Sequence, residues 1–199
     1  MRALLLGILV CISAGFASAQ NNIRQIDFKN FTYPLSAPLL GHAELKWLGN
    51  PKDGYSKRKP IRLINGVDTT GFTLQSVEYA DVAGKGKEDA IVVLRYEAGG
   101  TQNTHYVYIY SFDGGKPKLL AYCHTGDRAL YGLSKVYVED GQLVFELLDP
   151  RERTGDCCST WLVLMRFRWN GSRFEKSGRL DDSVLRGEAV GRPEYDSVH

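Results

Sequence analysis

Hydrophobic residues recur at a period of two along most of this chain. The pattern is densest over residues 77–112. It runs through Val77, Tyr79 and Val82, a glycine- and lysine-rich loop, the unbroken run Ala90-Ile91-Val92-Val93-Leu94, and then Tyr106, Tyr108, Tyr110 and Phe112 at strict alternation. β-branched and aromatic residues spaced this way predict strands, and a run apolar at every position predicts a strand buried on both faces. Further strands are expected over residues 119–124, 136–138, 143–147 and 161–169, with Phe174 beginning another. Asp113-Gly114-Gly115, Asp140-Gly141 and Asn170-Gly171 supply the tight corners of hairpins.

Upstream the pattern is weaker. Ile26, Phe28, Phe31 and Tyr33 predict an extended segment over 22–34 that lays aromatics on the core. Residues 43–48 read as a strand with Leu45 and Trp47 on one side, 49–60 as a turn-rich loop, and 61–64 as a short strand. Over 72–82 the alternation of Phe72, Leu74, Val77 and Tyr79 is imperfect. Helical periodicity is nearly absent. The fold expected is mainly β, a single domain of antiparallel sheet built from consecutive hairpins, with sandwich, barrel and bent single sheet all open. Beyond about Gly178 the apolar pattern stops, so residues 179–199 are expected to form a loose tail with a short helix at most.

The first nineteen residues have a different character. Arg2 precedes an apolar stretch from Ala3 to Ile12, and Ala17-Ser18-Ala19 carries small residues where signal peptidase reads them. The expectation is a cleaved signal peptide, residues 1–19, ahead of a β-rich domain over 20–178. The apolar stretch is too short for a stable span, and Val10 before Cys11 argues against lipid attachment. The protein is therefore expected to be secreted or periplasmic, with no stable membrane insertion after cleavage. Of 25 basic residues Arg2 is lost, leaving 24 against 23 acidic ones; so even a balance offers no field for nucleic acid.

An exported chain meets oxidising conditions, so its cysteines are read first as a disulfide. Cys123, Cys157 and Cys158 remain after cleavage. The bridge expected is Cys123 with Cys157 or Cys158; a vicinal Cys157–Cys158 link is the alternative, and an odd thiol remains in each case. Near Cys123 lies the densest polar cluster, His124, Gly126-Asp127-Arg128. A thiol, an imidazole and an orienting acid could serve a hydrolase or thiol enzyme, but neighbours on a strand point to opposite faces, and Asp127 with Arg128 suits turn capping and a local ion pair. His124, Asp127 and Arg128 are the weak catalytic candidates, and structure is the favoured reading of all three. His42 and His105 stand alone, as half-buried strand histidines do. Tyr106 to Tyr110, with Trp161 and Trp169, could stack on sugars if exposed; core packing is preferred. Asn30-Phe31-Thr32 and Asn170-Gly171-Ser172 fit the glycosylation sequon, and Lys52, Lys57, Arg58 and Lys59 read as a solvated loop.

The segment Asp81-Val82-Ala83-Gly84-Lys85-Gly86-Lys87-Glu88-Asp89 resembles the calcium loops of FG-GAP and VCBS-type repeats. That resemblance implies oxygen ligands at alternate positions from Asp81, closed by Asp89. Ala83 and Lys85 stand where two ligands belong, and a methyl and an ammonium cannot coordinate calcium. Asp81 and Asp89 are thus a degenerate pair, and neither metal nor cofactor is expected. Together with residues 26–34, 79–94, 126–129 and 166–174 and Cys157-Cys158, the loop makes the chain look like an uncharacterised group of exported bacterial β-rich proteins. The group often has Asp-x-x-Gly-Asp-Gly at this loop, from which Lys85 departs. The resemblance implies an envelope or secreted location and no activity. The function expected is non-enzymatic binding of an envelope or extracellular protein or glycan. The alternatives are the thiol or hydrolase reading and an inhibitor or chaperone-like partner acting through the loop 150–160.

Overall fold

The structure, a computed structural model, describes residues 22–35, 59–97, 103–127, 131–149, 161–177 and 184–186. It is mainly β, and its strands follow one another in antiparallel hairpins. Four of them, β3 (Phe72–Ala80), β4 (Asp89–Glu97), β5 (Asn103–Asp113) and β6 (Lys116–His124), form a central sheet in chain order. A second sheet follows from β7 (Leu133–Glu139), β8 (Gln142–Leu148), β9 (Trp161–Trp169) and β10 (Phe174–Ser177), again in chain order. A two-residue ribbon of β1 (Thr32–Tyr33) and β2 (Ile61–Arg62) completes the set near the N terminus.

The unbroken apolar run decides how these pieces stack. On β4, Ile91 and Val93 face the second sheet together with Val107 and Ile109 of β5 and Ala121 and Cys123 of β6. They meet Phe145, Leu147, Val163, Met165 and Phe167 there. Ala90, Val92 and Leu94 face the other way, with Tyr108, Tyr110 and Tyr122, beneath Ile23, Phe28, Tyr33, Ile61 and Leu63. The central sheet is thus the middle of three layers, which is why it carries no polar face. The buried tyrosines keep their hydroxyls satisfied: Tyr33 donates to the Phe28 carbonyl at 2.6 Å and Tyr108 to the Pro34 carbonyl at 2.7 Å.

Irregular spacing in the sequence has a local cause. The pairing of β3 with β4 slips by one residue between Leu74 and Ser76, so the bulge at Gln75 returns Val77 to the face of Phe72 and Leu74. A similar slip between Ile109 and Tyr110 lets Leu119 pack toward the N-terminal layer while Leu120 and Ala121 face the second sheet. At the β7–β8 corner Asp140 and Gly141 have φ of 50° and 69°, the two positive values that a two-residue hairpin turn needs.

Two expectations are corrected. Residues 22–34 are not one extended piece but two short 3-10 turns, Ile23–Gln25 and Phe28–Asn30, ahead of β1. The side chains of Asn22 and Asp27 accept from the backbone N–H groups of Arg24 and Lys29 and curl the chain at each point. Within the expected tail, Val184–Arg186 forms β11 against β9, in place of a short helix at most. The expected strand over 43–48, the basic side chains Lys52, Lys57 and Arg58, His42 and the loop 150–160 lie outside the described residues.

Gly71 enters β3 at φ +104°, and a Cβ built there would stand 2.6 Å from the Glu97 carbonyl oxygen, a backbone atom. Gly71→Ala should lower the unfolding free energy by about 3 kcal/mol. Gly84→Ala, at φ +65° with nothing within 4 Å, should cost only about 1 kcal/mol. Urea titration of both variants checks the contrast.

Candidate functional site

Pairing register, more than sequence proximity, decides which reactive side chains meet. His124 is opposite Tyr106 and stacks on its ring with centroids 5.3 Å apart, on the face toward the N-terminal layer. Cys123 is opposite Val107 and points into the other core. The two adjacent residues therefore diverge, as strand geometry requires. Asp127 follows Gly126, which bridges to Gly132 and donates its N–H to the Tyr131 carbonyl at 3.1 Å. This is the crossover from the central sheet to the second sheet, so the Gly126-Asp127 corner sits where the chain changes layers. Arg128 lies outside the described residues.

The expected bridge from Cys123 is corrected: its sulfur is a free thiol, 1% exposed. Cys157 and Cys158 lie outside the described residues. The reason for the free thiol is position, since the side chain faces the closed space between two sheets. Burial also pushes the thiol well above its usual range, which suppresses the thiolate a nucleophile needs.

The histidine that shares the face of Cys123 is His105. Its backbone carbonyl accepts from Thr125 N–H at 2.8 Å, which makes Thr125 its cross-strand neighbour and Cys123 its diagonal one, roughly 7–8 Å away by ordinary sheet geometry. Arg95 is opposite on β4. Burial and the Arg95 charge push the imidazole down to about 4, and its Nδ1 has no hydrogen-bond partner among the described residues. A neutral thiol beside a neutral imidazole is the reverse of the ion pair that thiol enzymes use. His105 is a strand histidine, as its isolation in the sequence implied. That it sits diagonal to Cys123 was hidden, because the β5–β6 register cannot be read from residue spacing.

The Asp81–Asp89 loop is organised by its own backbone. The Asp81 carboxylate accepts from Lys85 N–H at 2.8 Å and Gly86 N–H at 2.7 Å, and Asp89 accepts from Ala83 N–H at 3.0 Å. Asp89 is 2% exposed, and burial pushes its carboxyl up while Ser111 and Ala83 hydrogen bonds pull it down. The Lys85 ammonium lies 5.5 Å from the centre of the Trp169 ring. Both carboxylates are therefore committed to loop N–H groups, and a lysine occupies the stretch where a calcium loop has ligands.

The tyrosine stripe is core: Tyr108 and Tyr110 are buried, and Tyr106 packs half-buried beside them. Trp161 and Trp169 are half-buried. A stacking platform for sugar rings is therefore covered by the N-terminal layer on the Tyr106–Tyr110 face.

What that layer leaves open is the rim of the sheet. β3 is the end strand, and among the described residues its outer side pairs only near its start, where Val67 bridges Thr73 and Leu74 N–H donates to the Gly66 carbonyl. Residues 75–80 carry no such pairing. Alongside runs a groove of about 200 Å³ between Leu74, Val77 and Tyr79 of β3 and Ile26, Asp27, Phe28 and Lys29 of the first layer. Arg24, held to Glu88 at 2.6 and 2.7 Å, lies 4.4 Å over the ring of Tyr79, one of the groove's lining residues. Ile64 and Val67, 62% and 50% exposed, are the large apolar side chains on view among the described residues. The sequence signal was the broken alternation after Leu74, which the bulge explains.

Comparison with protein-family models, with curated proteins and with solved structures finds no match for this chain.

His105 gives a pH dependence of known sign. Its folded value lies below the unfolded one of about 6.5, so its contribution is complete above that pH and is lost as pH falls toward 4. The loss should reach about 3 kcal/mol over that interval. Asp89, with its carboxyl pushed up, acts oppositely, favouring the folded state slightly at the acid end. Urea unfolding across this range should show the decline, and His105→Gln should flatten it.

Proposed function

We propose that this protein is a non-catalytic, exported binding domain that takes up an extended segment of a partner protein along β3. The observation that carries this reading is the stretch 75–80, whose outer side is unpaired among the described residues, lying beside a mostly apolar groove on the same strand. An added strand gains backbone hydrogen bonds from the edge, and its alternate side chains fill the groove. Six residues of edge measure about 20 Å, on the order of 200 Å² of contact. A stable dimer needs about 800 Å² per partner, so one peptide segment fits the site better than a second copy does. The favoured segment has β-branched apolar residues at alternate positions. A partner protein is preferred over a glycan because the aromatic stripe is enclosed.

Export rests on the sequence of the first nineteen residues. In the native host, mass spectrometry of the protein outside the cytoplasm should read a mature N terminus at Gln20, and retention of Met1 there would overturn the location.

The peptide site is tested with a synthetic peptide of alternating valine and threonine. Binding should slow amide exchange along 75–80 and leave β10 unchanged. Val77→Asp places a carboxylate in the groove and should weaken binding about tenfold or more, whereas Glu175→Lys, at the exposed position of β10, should not. Binding without protection of β3, or no binding, sinks the proposal.

A further inference from the structure

The start of β4 borders a second concavity, which shares no lining residue with the β3 groove. The β3–β4 loop and the β5–β6 hairpin meet around a cavity of about 180 Å³. Lys85 and Lys87 come from the loop, Lys118 and Leu120 from β6, Ser111, Phe112 and Asp113 from β5, and Asp89 from the start of β4. Three lysines, from the loop and from the hairpin, thus line one small space together with two aspartates.

We propose that this cavity binds the phosphate group of a phosphate ester. The lysines are available for it. Lys85 and Lys87 make no ion pair among the described residues, and Lys85 rests on the Trp169 ring, a contact that a stronger partner can replace. Lys118 pairs with Asp113 at 3.3 Å, but both side chains are more than half exposed, which makes the pair weak. Three lysines outnumber the two aspartates of the lining. Asp89 is buried and accepts from Ala83 N–H at 3.0 Å and from Ser111, and Asp113 holds Lys118.

The ligand class follows from the donors. Several point-like ammonium groups suit a tetrahedral anion with oxygens on all sides, while a planar carboxylate is matched best by the fork of an arginine. No arginine lines the cavity. Its volume exceeds what a bare phosphate fills and leaves room for a short ester substituent against Phe112. Such a group can arrive on a soluble molecule or on a lipid headgroup, and the experiment separates the two.

Glycerol phosphate titrated into ¹⁵N-labelled protein should give saturable shifts at the amides of Lys85, Lys87 and Ser111 and at the Trp169 indole. Sodium chloride at matched ionic strength should not. The double variant Lys85→Ala, Lys87→Ala should bind about tenfold more weakly or worse, with an unchanged far-ultraviolet spectrum, and Lys85→Arg, Lys87→Arg should retain binding. Vesicles of phosphatidylglycerol against phosphatidylcholine form the second arm. Lysine-dependent sedimentation with the anionic vesicles, without a response to glycerol phosphate, assigns the phosphate to a membrane surface. Shifts reproduced by chloride, or binding unaltered in the alanine variant in both arms, overturn the site.

Discussion

The constraint on which this molecule depends is that its central sheet has no side that tolerates water. Residues 90–94 of β4 are buried without exception, and β5 alternates aliphatic and aromatic residues, so each face needs its own cover. One face receives a sheet of similar size. Among the described residues the other receives a short N-terminal segment and a two-residue ribbon, enough to seal the tyrosines but narrower than the sheet they cover. The β3 groove sits at that margin, where the lid ends before the strand does.

The same constraint explains why reactive residues lack chemistry here. Cys123 and His105 share a face, yet that face is closed by the second sheet, and burial drives thiol and imidazole toward their neutral forms. In the turn between β3 and β4 the carboxylates of Asp81 and of the buried Asp89 are engaged by backbone N–H groups, and Lys85 and Lys87 of the same loop are exposed.

The hairpins were legible because their signals are local: two-step apolar spacing broken by Asp-Gly or Asn-Gly corners. Burial of β4 on both faces could be read from its composition alone, and the dispersal of Cys123 and His124 from strand geometry. Three things could not be read. The bulge at Gln75 turns on a pairing slip between β3 and β4, which a single strand's sequence does not encode. The 3-10 turns at Ile23 and Phe28 arise from Asn22 and Asp27 competing for backbone N–H groups, which aromatic spacing masks. The free thiol at Cys123 follows from which sheet covers which face, and compartment chemistry says nothing about that.

The N-terminal layer is also the most non-local part of the molecule. Tyr108 bonds to Pro34 and Arg24 to Glu88 across 74 and 64 residues of chain, while each hairpin closes over a few. Loops that long make contact late. Ile23, Phe28 and Tyr33 are made before the strands they cover, so their docking has to wait for β4 and β5. A greasy leading segment beside an uncapped row of tyrosines is the clumping hazard that this chain order builds in.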